Sequence, residues 1–139
     1  MKSRPDLKAF LARGGTGRAI VELRKKQTLF SQGDPAEAVF YILKGKFALT
    51  VLSKHGKEAV IAMLGPDDFF GEGCLAGQRL RMATATATTE ASVVRLDKKV
   101  IIRLLQDKPT FSELFISYML SRNIRIEEDL VDQLFNSSE

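Results

Sequence analysis

The sequence predicts a mainly β domain, a sandwich or barrel, followed by a long helix. Two observations lead to this fold class. Short runs rich in Val, Ile, Phe and Thr recur between residues 19 and 96, separated by turn signals rich in Gly, Pro, Asp and Lys. Turns at this spacing favour a sandwich or barrel over βαβ units. After Asp97 the apolar residues change to a helical spacing.

The individual strands are predicted from four runs. Residues 40–43, 47–52 and 59–64 are apolar and each is bounded by a turn signal. The alternating Ala and Thr residues of segment 83–88 form the fourth strand, because a period of two places Ala83, Ala85 and Ala87 on one face. A face of alanines lets a neighbouring group pack very close.

Helices are predicted at both ends of the chain. Residues 3–13 have apolar side chains at helical spacing, and the glycine-rich segment 14–17 ends that pattern. Residues 98–106 form a short helix that is interrupted before Pro109.

The long helix is predicted to run from about Thr110 to Phe135. Thr110 is the predicted N-cap, and Glu113 would complete a capping box. The predicted organisation is an N-terminal helix and loop (1–18), a β-barrel with its short following helix (19–108) and the long helix (109–139).

Composition and charge exclude several classes of protein. The hydrophobic fraction of 45% and the charged fraction of 27% are typical of a globular domain. No run approaches the roughly 20 apolar residues of a membrane span, and the charged N-terminus is unlike a secretory signal. A single cysteine, Cys74, excludes an internal disulfide framework. We therefore predict a cytoplasmic protein, whose net charge of +4 lies in scattered pairs and gives no direct evidence of nucleic-acid binding.

The segment from Phe69 to Thr84 carries the predicted chemistry. Gly71 allows close backbone approach, and backbone amides in the short helical turn that follows form a natural anion site. Arg81 and Glu72 suit a ligand with a phosphate and a hydroxyl, because a guanidinium binds phosphate and a carboxylate accepts from a hydroxyl. From residue types alone, a surface salt bridge between the two, worth about 0–1 kcal/mol, remains the simpler alternative.

Three motifs in residues 28–96 resemble the cyclic-nucleotide-binding domain of Crp/Fnr regulators and of protein kinase A regulatory subunits. They are Leu29-Phe30…Gly33-Asp34, then Phe40-Tyr41-Ile42…Gly45, then the phosphate-binding cassette Phe70-Gly71-Glu72-x-x-Leu75…Arg81-x-Ala83-Thr84. The long helix extends the resemblance to the bacterial regulators. The resemblance implies a double-stranded β-helix (jelly-roll) barrel and a transcription regulator, not an enzyme, that senses a cyclic nucleotide.

The resemblance also implies roles by position. Glu72 would bind the ribose 2′-hydroxyl, Arg81 would pair with the cyclic phosphate, and the Ala83 amide would be a further phosphate donor. Leu75 would couple the cassette to the helix. The full set of residues implied for the cyclic-nucleotide site is Gly71, Glu72, Gly73, Cys74, Leu75, Arg81, Met82, Ala83 and Thr84.

Three positions bear on ligand choice and on the fit to the family. Met82 favours cyclic AMP, because it cannot donate the bond that a threonine gives guanine in the family's cyclic-GMP kinases. Gly73 stands where an aliphatic residue is common, so the cassette helix is expected to be looser than usual. Asp67 replaces the glycine of a Gly-Pro-Gly-Asp turn, which Asp tolerates because it adopts the left-handed conformation more easily than most residues.

The long helix is expected to supply the base contacts. Relatives that resemble the catabolite activator place a Thr-Ser pair there to bind adenine. The equivalent positions are Ile126 and Glu127, so that contact is not carried over. Arg122 or Asn123, from either subunit, could reach the base instead.

The same helix predicts a homodimer through residues 112–134. Positions 112, 116, 119, 123, 126, 130 and 133 alternate in spacings of four and three, as in a coiled-coil seam. A second stripe, Phe111, Phe115 and Tyr118, suits packing on the barrel. Ligand binding would then shift this helix between two states, as allostery requires. The winged helix-turn-helix that follows in these regulators is absent from the sequence, so DNA would be bound only by a further C-terminal domain.

Other function classes are disfavoured. A cupin-type enzyme needs a cluster of His ligands, whereas His55 is the single histidine, and we predict no catalytic residue, no metal site and no cofactor beyond the nucleotide ligand. An iron–sulfur sensor would need more cysteines, and Cys74 is interpreted as a packing residue, with a redox sensor as the alternative. The open alternative is a degenerate sensor domain that binds no cyclic nucleotide and responds to another signal.

Overall fold

The structure, a computed structural model, describes Ala9, Leu11 and residues 15–136. The strands are β1 (Arg18–Leu23), β2 (Thr28–Phe30), β3 (Ala38–Lys44), β4 (Phe47–Leu52), β5 (Glu58–Leu64), β6 (Phe69–Phe70), β7 (Thr84–Ala87) and β8 (Ala91–Asp97). A 3-10 helix, Glu72–Ala76, lies between β6 and β7. Two α-helices follow the strands, α1 (Lys98–Asp107) and α2 (Pro109–Asn136).

The strands form two four-stranded antiparallel sheets. The first has the order β1-β8-β3-β6 and the second the order β2-β7-β4-β5. Neighbouring strands in each sheet are far apart in sequence except for the β4–β5 hairpin, which is the pattern of a jelly roll rather than a meander. Val93, at the centre of the first sheet, pairs with both Val21 and Ile42. The predicted fold class is confirmed.

Alternation along the strands builds the core of the barrel. Ala83, Ala85 and Ala87 are buried, whereas Thr84, Thr86 and Thr88 are half-buried, as the period of two predicts. Because alanine side chains are small, the interior also accommodates the rings of larger residues. The aromatic members of this core cluster are Phe40, Phe47 and Phe70, with the half-buried Phe30 packed against them.

The turn before β6 shows how Asp67 is accommodated. Its φ of 70° lies in the left-handed region, as expected for a residue that replaces glycine. The Tyr41 hydroxyl donates to Asp67 Oδ1 at 2.5 Å. The Asp67 amide donates to the Ile42 carbonyl at 2.9 Å, so the turn is tied to β3 from both its backbone and its side chain.

The start of the long helix differs from the prediction. Helix α2 begins at Pro109, so Thr110 lies inside the first turn and is not the N-cap. Proline suits this first position because its fixed φ is helical and its missing N–H would have no partner there. The Lys108 carbonyl is already an acceptor, from the Ser112 amide at 3.0 Å. Most of the predicted helix 3–13 lies outside the described residues, although Ala9 and Leu11 are helical and Leu11 is fully buried.

The chain divides into two compact units, residues 1–103 and 104–139. The first unit contains both sheets, and the second contains α2. In α2 the second predicted stripe, Phe111, Phe115 and Tyr118, is buried. Across the described residues, no helix is both long enough and apolar enough to cross a membrane.

Candidate ligand-binding cassette

The cassette begins where β6 ends. Gly71, with φ 82°, turns the chain into the 3-10 helix Glu72–Ala76, and Gly77, with φ 91°, ends that helix with its amide donating to the Gly73 carbonyl. A Cβ atom on Gly71 would lie 2.8 Å from Arg81 Nη1. Glycine is therefore required at position 71 both by the backbone conformation and by the approach of the guanidinium.

Arg81 is the central side chain of the cassette. It is only 5% exposed. Its Nη1 donates to the Gly71 carbonyl at 2.9 Å and its Nη2 to the Ala38 carbonyl at 2.6 Å. The Cζ atom lies 4.3 Å from the centroid of the Phe30 ring and 5.6 Å from that of Phe40. The guanidinium is therefore fixed in position and orientation by backbone carbonyls and aromatic rings.

One nitrogen of this guanidinium has no hydrogen-bond partner. Among the described residues, Arg81 Nε is the buried side-chain nitrogen without a hydrogen-bond partner. An unsatisfied buried donor costs about 1–3 kcal/mol, and more when the group is charged. Burial lowers the pKa of the Arg81 guanidinium, and the negative charge of the nearby Glu72 partly offsets that effect. Arginine nonetheless keeps its charge in proteins, so the site presents a buried cation whose Nε has no hydrogen-bond partner.

This geometry differs from the surface salt bridge that the residue types alone suggested. Arg81 is buried, and its hydrogen bonds go to two carbonyls. Glu72 is half-buried at the start of the 3-10 helix and acts on Arg81 through its charge.

The three motifs from the sequence meet at Arg81. From the first motif, the Asp34 carbonyl accepts from the Arg81 amide at 2.7 Å, and the Gly33 amide donates to the Arg81 carbonyl at 2.8 Å. Phe40, from the second motif, lies beside the guanidinium, and Gly71, from the third, accepts from it. All three motifs therefore help to position one residue, through its main chain and through its side chain.

Cys74 shares a hydrogen-bond acceptor with the guanidinium. It is fully buried, and its Sγ donates to the Ala38 carbonyl at 3.7 Å, the carbonyl that also accepts from Arg81. Burial raises the pKa of the Cys74 thiol. A protonated, buried thiol is unreactive, which fits the packing interpretation better than the redox alternative. The described residues contain no group of His, Cys, Asp and Glu side chains that could hold a metal ion.

The remaining cassette residues differ in exposure. Met82 is 69% exposed, whereas Ala83 is buried. Thr84 Oγ1 accepts from the backbone amide of Gln32 at 2.9 Å. Gly73 and Leu75 are half-buried. A Cβ atom on Gly73 would lie 2.6 Å from the Gln78 side chain, so the Gln78 amide occupies the space that an aliphatic residue would fill.

The predicted base-contact residues lie on α2, in the second compact unit. Asn123 Nδ2 donates to Glu127 Oε1 at 3.0 Å. Ile126 is 57% exposed and Arg122 is half-buried. A contact between any of these four residues and a nucleotide base stays a prediction.

Two contributors to the site had no clear signal in the sequence. The Ala38 carbonyl is a backbone group, so its role as an acceptor cannot be predicted from the residue type. Phe30 stands inside the first motif, but the motif alone does not show that its ring lies on Arg81. Only the pairing of distant strands brings both groups to the guanidinium.

Residues 20–108, more than half of the chain, match the sequence profile of the cyclic nucleotide-binding domain family. The chain belongs to this family. The CRP-like cAMP-activated global transcriptional regulator of Mycobacterium tuberculosis is 28% identical over 115 residues, which are 83% of this chain and 51% of the relative. The cAMP-activated global transcriptional regulator CRP of Salmonella typhimurium is 31% identical over 110 residues, 78% of this chain and 52% of the relative.

The cyclic nucleotide-binding domain described here also resembles solved structures. The c-di-GMP responsive global regulator CLP of Xanthomonas campestris superposes with a TM-score of 0.74 and 18% identity, over 98% of this chain and 63% of that one. That likeness shows the fold alone. The predicted resemblance to Crp/Fnr-type sensor domains is confirmed. The chain spans about half the length of the curated relatives.

Proposed function

We propose that this chain is the cyclic-AMP-sensing domain of a Crp/Fnr-type transcription regulator of the cytoplasm. The observation that carries the proposal is the buried Arg81 Nε, which has no acceptor. A cyclic phosphate supplies an anionic oxygen, and a charge-assisted hydrogen bond to it contributes about 1.5–3 kcal/mol. The ligand would thus complete the hydrogen bonding of the cassette and neutralise its buried charge.

The other contacts follow the family pattern. We infer that Glu72 accepts from the ribose 2′-hydroxyl and that the Ala83 amide donates to the phosphate. Met82 gives no hydrogen bond to guanine, which favours cyclic AMP. The two curated relatives are cAMP-activated by name, whereas the structural neighbour CLP is described as c-di-GMP responsive. Cyclic di-GMP is therefore the competing ligand to test.

Helix α2 would transmit the effect of nucleotide binding. Its exposed apolar side chains include Ile116, Leu120, Leu130 and Leu134, between 53% and 65% exposed. We propose that residues 112–134 of two copies pair along this face, and that Arg122, Asn123, Ile126 or Glu127 senses the base. Nucleotide binding would then shift the helix pair, and a DNA-binding domain C-terminal to this chain would read the change.

Calorimetric titration tests the ligand assignment. Cyclic AMP, cyclic GMP, 2′-deoxy cyclic AMP and cyclic di-GMP are titrated into the wild-type chain. We expect cyclic AMP to bind tightest and the 2′-deoxy analogue to bind more weakly, because the analogue lacks the hydroxyl that would donate to Glu72. Tighter binding of cyclic di-GMP would overturn the ligand assignment, and absence of all binding would favour the degenerate sensor.

Substitution of Arg81 tests the site. We expect Arg81→Ala to weaken cyclic AMP binding by about 10- to 150-fold, the equivalent of ~1.5–3 kcal/mol. Arg24→Ala, which removes the same charge from an exposed position, is the control. Because Arg81 also ties the cassette together, Arg81→Lys is measured alongside, with thermal unfolding to verify the fold. Equal affinity of folded Arg81 variants and wild type would refute the assignment.

A further inference from the structure

We propose that Phe30 is a positioning residue for the cassette: its ring orients the Arg81 guanidinium so that Nε faces the phosphate. The proposal rests on the proposed function and extends it to a residue outside the cassette. Phe30 belongs to β2, more than 40 residues before the cassette in sequence. It contacts no part of the ligand in this proposal and acts through Arg81 alone.

The ring lies close against the guanidinium. The Phe30 centroid is 4.3 Å from Arg81 Cζ, nearer than the Phe40 centroid at 5.6 Å. Both distances are inside the range of about 6 Å in which a cation is attracted to a ring face. The ring is itself held, because its centroid lies 5.6 Å from that of Phe40 and 6.0 Å from that of Phe70.

The Phe30 ring restricts a motion of the guanidinium that its hydrogen bonds still allow. The carbonyls of Gly71 and Ala38 hold Nη1 and Nη2. These two bonds still allow the guanidinium plane to tilt about the line that joins them. A ring whose centroid lies 4.3 Å from Cζ restricts the tilt and so restricts the direction of the Nε–H bond. Binding then needs less ordering of the side chain, which favours affinity.

The strand β2 is built to place this ring. It has three residues and pairs with β7 at the edge of the second sheet. Its register shifts between Thr28, which faces Thr86, and Phe30, which faces Ala85. Irregularities of this kind redirect side chains at functional sites. Ala85 is fully buried and small, so it leaves space beside β2 for the Phe30 ring.

The ring also compensates charge. The hydrogen-bond partners of the guanidinium are neutral carbonyls, so the negative face of an aromatic ring is a direct source of electrostatic stabilisation for the buried cation. A side chain of similar volume without a π face would fill the space but give neither this attraction nor the same orientation.

Affinity measurements on three variants test the proposal. We expect Phe30→Leu to weaken cyclic AMP binding by about 3- to 30-fold, from the range of cation–π energies. Phe30→Tyr keeps the ring face and should bind within about twofold of wild type. Phe47→Leu is the matched control. That residue is fully buried in the same aromatic cluster, 5.2 Å from Phe70 between centroids, so it should lower the melting temperature without changing affinity.

The ¹⁵N–¹H resonance of Arg81 Nε gives a direct readout of orientation. It is assigned by its loss in Arg81→Lys. In the free wild-type chain we expect an upfield ring-current shift from Phe30, and cyclic AMP should move the resonance downfield as the hydrogen bond forms. Phe30→Leu should reduce the upfield shift to the contribution of the more distant Phe40 ring, whereas Phe30→Tyr should keep it. In an Arg81→Lys background, Phe30→Leu should no longer change affinity.

The outcomes separate the two proposals. If cyclic AMP leaves the wild-type Nε resonance unmoved, the proposed phosphate contact fails. If the resonance responds but Phe30→Leu binds as wild type does, only the role of Phe30 is overturned. Equal losses in Phe30→Leu and Phe30→Tyr, or an equal loss of affinity in Phe47→Leu, would also overturn it, because packing and not the ring face would then be responsible.

Discussion

The cassette and the helix α2 are incomplete in opposite ways. In the cassette the charged residue Arg81 is 5% exposed, and its Nε has no hydrogen-bond partner. On α2 the polar pair Asn123 and Glu127 is hydrogen-bonded, whereas apolar side chains such as Leu130 and Leu134 are 54% and 65% exposed. The cassette therefore lacks a polar partner, and the helix lacks an apolar one.

The two regions therefore favour different kinds of binding partner. A buried unsatisfied donor favours an acceptor that can enter the interior, which describes a small anion. An exposed apolar stripe along a helix favours a surface that removes it from water, which describes another helix. Unpartnered buried donors and exposed apolar stripes break the usual rules of packing, and such exceptions are common at functional sites. Substitutions in the cassette and in α2 should therefore have separable effects.

The largest expected effect is on α2. Leu130→Asp should weaken the proposed dimer by at least ~100-fold, because two apolar side chains, each contributing about 1.5–3 kcal/mol when buried, are lost per dimer. Sedimentation velocity over a range of concentrations measures this. Ser121→Asp is the control, since it adds the same charge nine residues away, about two and a half turns, on the opposite side of the helix. Equal dimerisation of the wild type and Leu130→Asp would place the interface elsewhere.

Gly71→Ala should have the next largest effect, confined to the cassette. The residue would keep a left-handed backbone and place a Cβ atom 2.8 Å from Arg81 Nη1. We expect the free energy of unfolding to fall by about 1–3 kcal/mol, and cyclic AMP binding to weaken about 10- to 100-fold as Arg81 is displaced.

A matched glycine isolates the clash with Arg81. Gly56 has a similar φ of 83°, but nothing lies within 4 Å of a Cβ atom placed there. Gly56→Ala should therefore lower stability through backbone strain and leave cyclic AMP affinity unchanged. Chemical denaturation and calorimetry of both variants give the comparison, and similar losses of affinity would show that the Arg81 contact is unimportant.

Asn123→Ala should have a smaller effect, and it tests whether a residue of α2 contributes to ligand binding at the cassette. The exposed hydrogen bond to Glu127 contributes little to stability, and alanine favours helix, so the fold should be unchanged. If Asn123 senses the base, cyclic AMP affinity should fall about 3- to 10-fold by titration. Arg125→Ala, an exposed residue on another side of the helix, is the control. An unchanged affinity would remove Asn123 from the site.

The smallest effect concerns Cys74 and pH. Because burial raises the pKa of this thiol, the folded chain holds its proton more tightly than the unfolded chain does. The free energy of unfolding should be insensitive to this group below an ordinary thiol pKa of about 8.5, and should fall as the pH rises from there towards the folded-state value. A Cys74→Ala variant should lose this part of the pH dependence in denaturation curves. Wild type should also react slowly with iodoacetamide at neutral pH.

Much of the fold could be predicted from the sequence. The period of two in segment 83–88 predicted the buried alanines of β7, and the helical spacing after Asp97 predicted α1 and α2. Four strands, β1, β2, β6 and β8, were not predicted individually. Of these, β2 and β6 have only three and two residues, which are too few to show a period. The start of α2 was placed one residue late, because a threonine resembles an N-cap wherever it precedes a helical pattern.

For the site, the available chemistry can be read from the sequence: a guanidinium, a carboxylate, glycines at two turns and a family pattern that orders them. The hydrogen-bond partners of Arg81 depend on the fold. The choice between a surface salt bridge and a buried cation depends on which distant groups surround the side chain. Those groups are the Ala38 carbonyl, the Gly71 carbonyl and the Phe30 ring, and the pairing of separate strands brings them together. The contact between these groups cannot be predicted from local sequence, because it depends on the packing of the whole barrel.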